Sequence, residues 1–287
     1  MTVIYWRSSR WLGVAEMGVQ RFLTENADGQ LLSWVAQREM MEHFHLECAE
    51  AEKLIMQGGY LPCRYQRNQQ MISTTQQLQL LQSKVAVIGC GGLGGYVLEE
   101  LARLGVGQIV AVDPDVFEEH NLNRQMLSTI ELLGTSKVEA AVKRLAAVNP
   151  AVRVEPVAAA IDKANGPGIL SGVKLVIDAV DNVPTRFDLA EICCQLNIPL
   201  VHGAIAGWFG QVATIYPGDQ TLQKLYHNWT GGKGIEARLG NPSFTPALVA
   251  SLQVAEACKL LLGQGHVLRN PGLSIDLLTS QFVEIPF

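Results

Sequence analysis

Val85-Ala-Val-Ile-Gly89-Cys-Gly91-Gly92-Leu-Gly94 joins a short apolar run to a GxGxxG spacing, and Leu93, Val97, Leu98, Leu101 and Leu104 then recur at helical intervals. A buried strand, a tight glycine turn and a sheet-facing helix together open a doubly wound nucleotide-binding fold. Glycines let the backbone approach a phosphate, and the helix N-terminus offers free N–H groups and a partial positive charge. The next strand, Ile109 to Val112, ends at Asp113, about 19 residues past Gly94, where a carboxylate accepts bonds from ribose hydroxyls. Gly89, Gly91, Gly92, Gly94 and Asp113 therefore form a nucleotide-binding set. The glycines alone fit NAD, FAD and ATP alike.

Strands and helices alternate beyond this unit. Ser136 to Ala147 reads as a helix, with Ser136 and Glu139 spaced as a capping box and Asn149-Pro150 ending it. Val152–Val157 and Leu175–Ala179 read as strands, a helix runs to Gln195, and Leu200-Val201 is a further strand. Alternation of this kind predicts a parallel sheet with right-handed crossovers. After Val201 the pattern changes: a strand at Val212–Tyr216, a polar loop from Pro217 to Pro242, a helix from Thr245-Pro246 to Gly263, and short strands near Leu273–Asp276 and Phe282–Ile285. The expected fold is α/β and Rossmann-like, a doubly wound, mostly parallel sheet continuing into mixed and antiparallel strands. Residues 1–60 read as a small N-terminal helical extension, with turns at Asp28-Gly29 and Gly58-Gly59, and residues 61–287 as the nucleotide-binding domain.

The 287 residues are 48% hydrophobic and 17% charged, enough for a large core. A net charge of −5 supplies no basic surface for a phosphate backbone, so nucleic acid is an unpromising partner. The N-terminus carries Arg7 and Arg10, but Trp11 to Leu23 is broken by Glu16, Gln20 and Arg21. That leaves no secretory or membrane-spanning core, and a cytoplasmic protein is expected. The six cysteines include no CxxC pair and read as reduced thiols in packed positions. Glu42 and His45 share an i, i+3 spacing, but two ligands on one helix do not make a metal site.

Polar residues gather where the strands end. Glu118-Glu-His-Asn121-Leu-Asn123-Arg124-Gln125 follows the second strand, Lys137 lies in the first turn of the next helix, and Asp178-Ala-Val-Asp181-Asn182 ends another strand. Cations for phosphate oxygens and a carboxylate for Mg²⁺ are what nucleotidyl transfer requires. Hydride transfer has no evident need for Arg124, which weighs against an NAD or FAD oxidoreductase.

The GxGGLG loop, DxDxxxxxNLNRQ, SKVEA and DxxDN, in that order, resemble the ThiF, MoeB and ubiquitin-activating-enzyme superfamily over roughly residues 61 to 287. The resemblance implies that Gly92 approaches the phosphates, Asp113 takes the ribose, and Arg124 and Lys137 meet the phosphates. It further implies that Asp181 lies at the magnesium-bound phosphate end and that Asn121 and Gln125 orient these groups, with Asp115 and Asn182 completing the ATP site. Arg64-Tyr65-Gln66-Arg67 matches an RYxR element, implying a homodimer in which Arg67 reaches the partner's ATP. The implied reaction is adenylation of the C-terminal carboxylate of a small ubiquitin-like sulfur-carrier protein ending in Gly-Gly, with ATP and Mg²⁺.

Relatives often add two CxxC pairs for zinc and a cysteine in the crossover loop. The stretch from Tyr216 through Asn241 to Thr245 contains no cysteine, so no structural zinc and no crossover thioester are expected, and activation stops at the adenylate. Cys63 and Cys90 are read as packing or chance occurrences rather than nucleophiles. Gly203 to Gly210 resembles the loop lining the carrier-tail groove, and Trp208 and Phe209 fit either a tail contact or a buried pair. A tRNA threonylcarbamoyladenosine dehydratase-like enzyme is the rival within the superfamily, and the acidic balance weighs against it. A non-catalytic carrier-binding module has no use for the retained charged set.

Overall fold

The computed structural model describes residues 17–231 and 239–287; Arg7, Arg10, the start of the Trp11–Leu23 segment and part of the 217–242 loop lie outside the described residues. The described residues fold as two compact units, divided between Leu81 and Gln82.

In the first unit, helical residues 17–26 (α1) precede β1 (Leu31–Leu32), α2 (Trp34–Phe44) and α3 (Cys48–Gln57). β2 (Leu61–Pro62) pairs in parallel with β1, a 3₁₀ turn spans Cys63–Asn68, and α4 covers Thr74–Leu81. Ser33 caps α2 by accepting the Ala36 N–H at 3.2 Å, satisfying one of the donors that a helix start leaves open. Leu23, Leu32, Met40 and Ile55 close the core. Glu52 is fully buried there, held by the Tyr65 hydroxyl at 2.8 Å and Arg64 at 3.3 Å. The contacts thus place residues 61–81 with the N-terminal helices. The glutamine-rich stretch forms α4 because Gln77, Leu80 and Leu81 fall on its buried side.

The second unit is built on one eight-stranded sheet, ordered β10-β9-β8-β7-β6-β3-β4-β5. Here β3 is Lys84–Ile88, β4 Gln108–Val112, β5 Arg153–Val157, β6 Leu175–Asp178, β7 Leu200–Ala206, β8 Phe209–Ile215, β9 Gly272–Asp276 and β10 Gln281–Ile285. The five strands from β5 to β7 are parallel, and β8 to β10 continue antiparallel. The helices are α5 (Gly92–Leu104), α6 (Lys137–Val148), α7 (Gly166–Ile169), α8 (Val183–Leu196), α9 (Thr221–Leu225) and α10 (Phe244–Leu262). α5 packs between α6 and α10, while α8 packs against α7 and α9. Ala86, Ile88, Val110, Val112 and Val176 meet Leu189 and Ile192 of α8 in the core. α10 is long and apolar enough to cross a bilayer, but Val249, Ala250, Val254 and Ala257 are buried and the helix packs on α5 and β7, the pattern of a core helix.

Two expectations are corrected. Ser136 precedes α6 but its hydroxyl makes no capping bond; its backbone bridges to Val116, and the Lys137 N–H goes to the Asp115 carbonyl at 3.0 Å. The Gly203–Gly210 segment is a β-hairpin rather than a loop, pairing Gly203 with Val212 and Ala206 with Phe209. Its turn is made by Gly207 at φ +59°, a backbone conformation that favours glycine.

Candidate active site

The glycine turn follows β3. Gly89 has φ +95°, its N–H bonds to the Val112 carbonyl at 2.8 Å, and a Cβ on it would lie 2.5 Å from the Ala179 carbonyl oxygen. Only glycine fits so close to the neighbouring strand end. A cavity of about 420 Å³ opens beyond the carboxyl ends of β3, β4 and β6, where ligands bind in doubly wound sheets. Gly89, Gly91 and Gly92 line one side, Asp113, Asp115, Arg124, Gln125 and Lys137 another, and Asp181 and Asn182 a third.

Asp113 clamps the turn. One carboxylate oxygen accepts the Cys90 N–H at 2.7 Å, and the other accepts the Asp115 N–H at 2.9 Å. Burial holds its carboxyl above the usual range, against the pull of those bonds and of Lys137. The Lys137 ammonium, itself buried, lies 2.9 Å from Asp115 and 3.8 Å from Asp113. A cation is thus fixed at the rim of the cavity between two carboxylates. Arg124 is steadied by its own turn, donating to the His120 carbonyl at 2.9 Å and to Asn123 at 2.8 Å. The Asn182 side chain accepts the Thr185 N–H at 3.0 Å and caps α8, while Asp181 beside it is exposed. Two wall oxygens, Gln125 Oε1 and Asn241 Oδ1, are buried without a hydrogen-bond partner among the described residues and point to a ligand donor.

Three expected residues are not in this wall. Gly94 faces β3: a Cβ there would meet the Gly89 carbonyl oxygen at 1.7 Å, so its role is close helix–strand packing. Asn121 is buried, accepts the Glu118 N–H at 3.0 Å, and its carbonyl accepts the N–H groups of Arg124 and Gln125 at 3.1 and 2.9 Å. It shapes the turn that presents them. Arg67 belongs to the first unit, exposed on its 3₁₀ turn beside the buried Tyr65.

The sequence reading missed Thr185, Arg186 and Asn241, which also line the cavity. Arg186 sits one helical turn beyond the Asn182 cap, a spacing that was available as a signal, although its burial was not. A second cavity of about 580 Å³ adjoins on the β7–β8 face, walled by Arg186, Ile205, Phe209, Gln211, Tyr226 and Trp229 among others. Trp208 and Phe209 are exposed, Trp208 resting on Phe244 at 4.6 Å between ring centroids.

The cysteines divide by environment. Cys90 is buried and its thiol is pushed well above the ordinary range, mainly by burial and then by the Asp113 charge; burial likewise lifts Cys193 to about 12. Cys194 is exposed rather than packed, because it lies on the outer side of α8. No cluster of three or more metal-ligating side chains occurs among the described residues.

Residues 65–287 match the ThiF family. The SAMP-activating enzyme E1 of Haloferax volcanii is 39% identical over 213 residues, covering 74% of this chain and 79% of that protein. The sulfur carrier protein adenylyltransferase of Thermus thermophilus is 39% identical over 216 residues, 72% of this chain and 79% of the relative. The molybdopterin-synthase adenylyltransferase of Escherichia coli is 32% identical, covering 73% and 85%. The solved structure of E. coli MccB with ATP shares the fold at a TM-score of 0.64 and 21% identity, over 78% of this chain and 71% of that one.

Proposed function

Because the chain belongs to the ThiF family, we propose that it is an adenylyltransferase that uses ATP to activate the C-terminal carboxylate of a small ubiquitin-like sulfur-carrier protein. The observation that carries this reading is the shared cavity: a glycine turn, Arg124, Lys137 and Asp181 face one space beyond the sheet. A carboxylate oxygen of the carrier's terminal glycine attacks the α-phosphorus of ATP, the bond to the bridging oxygen breaks, and pyrophosphate leaves with that electron pair. No side chain acts as nucleophile and no proton need move. The chain's part is to hold the two reactants in line and to offset the charge that grows on the phosphates, the role assigned to Arg124 and Lys137.

The exposed carboxylate of Asp181 is a hard oxygen donor that suits Mg²⁺ held jointly with ATP phosphates. Bound there, the ion would neutralise the departing pyrophosphate. Arg67 is assigned to the neighbouring subunit's ATP in a homodimer, and the protein to the cytoplasm. With Cys90 buried and the 217–245 stretch free of cysteine, sulfur transfer falls to another protein.

Pyrophosphate–ATP exchange tests the reading. It is expected only with a carrier ending in Gly-Gly, and Arg124→Ala or Asp181→Ala should lower it by about 10²–10³. Silence with every Gly-Gly carrier, together with ATP hydrolysis triggered by modified tRNA, would sink it.

A further inference from the structure

A ring of four side chains, Arg186, Tyr226, His202 and Asp178, joins the walls of the two cavities. Arg186 lines both, and its guanidinium donates to the Tyr226 hydroxyl at 2.8 Å and to the Val180 carbonyl at 2.7 Å while lying 3.4 Å from Asp178. Tyr226, in the wall of the second cavity, is 3.3 Å from His202 Nε2, and His202 Nδ1 is 2.7 Å from Asp178 Oδ2. Asp178 and His202 are fully buried. The other Asp178 oxygen accepts the Val180 N–H at 3.1 Å, inside the turn that leads to Asp181.

Arg186 and Gln211, at 3.1 Å, both donate to the Tyr226 oxygen, which leaves the hydroxyl to act as a donor, and His202 Nε2 lies within its reach. His202 is then neutral with its proton on Nδ1, donated to the Asp178 carboxylate, and burial favours that neutral form. The ring is thus three hydrogen bonds closed by the Arg186–Asp178 ion pair. A ring of this kind holds Arg186 in one place.

Resting on the adenylation reading above, we propose that Tyr226 and His202 are positioning residues for that reaction. Tyr226 directly and His202 through Asp178 fix Arg186 where it lines both cavities, and the ring ties the second cavity to the turn bearing Asp181. In this proposal the carrier tail lies in the second cavity, walled by Phe209, Tyr226 and Trp229, and its carboxylate passes the fixed Arg186 guanidinium on the way to the α-phosphate. Neither residue touches the reacting atoms.

The test uses the full chain with a Gly-Gly carrier that supports exchange by the wild type. Tyr226→Phe keeps the ring's shape and removes the hydroxyl; His202→Gln keeps one donor and one acceptor; His202→Ala keeps neither. Tyr226→Phe and His202→Ala are expected to raise the carrier KM and lower the exchange kcat, together cutting kcat/KM by about ten- to a hundredfold. ATP affinity should stay within about twofold, His202→Gln should restore most of the loss, and the double variant should be little worse than either single, since the ring acts as a unit. Thermal unfolding and ATP binding show that each variant has folded. Folded variants that keep wild-type KM and kcat, or that lose ATP affinity instead, would overturn the proposal. A wild type that exchanges with no Gly-Gly carrier would bring down the adenylation reading first, and the proposal with it.

Discussion

Alanine at Gly94 and alanine at Gly92 should damage the protein in different ways, although both glycines belong to one turn. A Cβ on Gly94 would stand 1.7 Å from the Gly89 carbonyl oxygen and 2.7 Å from its carbonyl carbon. Carbon and oxygen are comfortable at about 3.3 Å, so the start of α5 would have to lift off β3 by roughly 1.6 Å. Leu93, Val97, Leu98 and Leu101 bury that helix against the sheet, and the obstacle is backbone that cannot swing aside. Overpacking of this sort costs about 3 kcal/mol or more, and at about 2–4 °C per kcal/mol for a unit of this size Tm should fall by roughly 6–12 °C. On Gly92 the added carbon meets Pro246 at 3.7 Å and Arg124 at 3.8 Å, ordinary contact distances, at a helical position that gains from alanine. Gly92→Ala should therefore keep or slightly raise Tm, while its methyl, standing in the nucleotide cavity, should weaken ATP binding about tenfold or more, about 1.4 kcal/mol. Thermal unfolding paired with calorimetric ATP titration separates the two. Gly94→Ala at wild-type Tm, or Gly92→Ala with wild-type ATP affinity, would refute the assignment of packing to one glycine and phosphate approach to the other.

Lys137→Met removes the cation held 2.9 Å from Asp115 and 3.8 Å from Asp113; exchange should drop by about 10²–10³, and an unchanged rate would remove Lys137 from the mechanism. Burial depresses the His202 pKa, so the folded state binds fewer protons than the unfolded one below the unfolded value of about 6.5. Stability is fully present above that value and is lost as pH falls toward the folded pKa, with a slope of at most about 1.4 kcal/mol per pH unit from this group. Denaturant titrations between pH 7 and 5 should show a steeper decline in the wild type than in His202→Gln; parallel curves would mean that folding leaves the His202 pKa unchanged. Mixing inactive Arg67→Ala with inactive Asp181→Ala should recover about a quarter of wild-type exchange if Arg67 serves the partner's site, because half the dimers are mixed and each holds one complete site. No recovery, with subunit exchange shown, would place Arg67 in its own subunit's site or in none. Thiol labelling of the native protein should modify Cys194 and spare Cys90 and Cys193, read by peptide mass; the reverse order would contradict their burial.

What the sequence disclosed and what it hid divide along the line between local and tertiary causes. The strand, glycine turn and helix from Val85 to Leu104 are adjacent in the chain, so spacing alone revealed the nucleotide fold and put Gly89, Gly91 and Gly92 in the cavity wall. Gly203 and Gly210 looked like loop glycines, yet each makes room within a strand: a Cβ would meet Gln253 at 2.3 Å in one case and Val249 at 2.4 Å in the other. Both partners come from α10, far along the chain, and no local pattern announces them. The Ser136 cap failed for a related reason, since the Asp115 carbonyl, from beyond β4, takes the first N–H of α6 and sets how the chain enters the helix.

Asp113 shows the limit from the other side. Its place at the end of β4 was legible, and ribose binding was the expected role, but both carboxylate oxygens already accept loop N–H groups. The two roles are compatible, because each oxygen of an ionised carboxylate has a second lone pair. A carboxylate that closes the glycine turn and still faces the cavity sets the distance between the turn and any hydroxyl it accepts. Asp113→Asn would replace one oxygen by a donor that opposes either the Cys90 or the Asp115 N–H, so the turn should loosen whether or not ribose is bound. A variant that lost ATP affinity while the Cys90 thiol stayed unreactive would show that the ribose contact, and not the clamp, is the larger part of what Asp113 does.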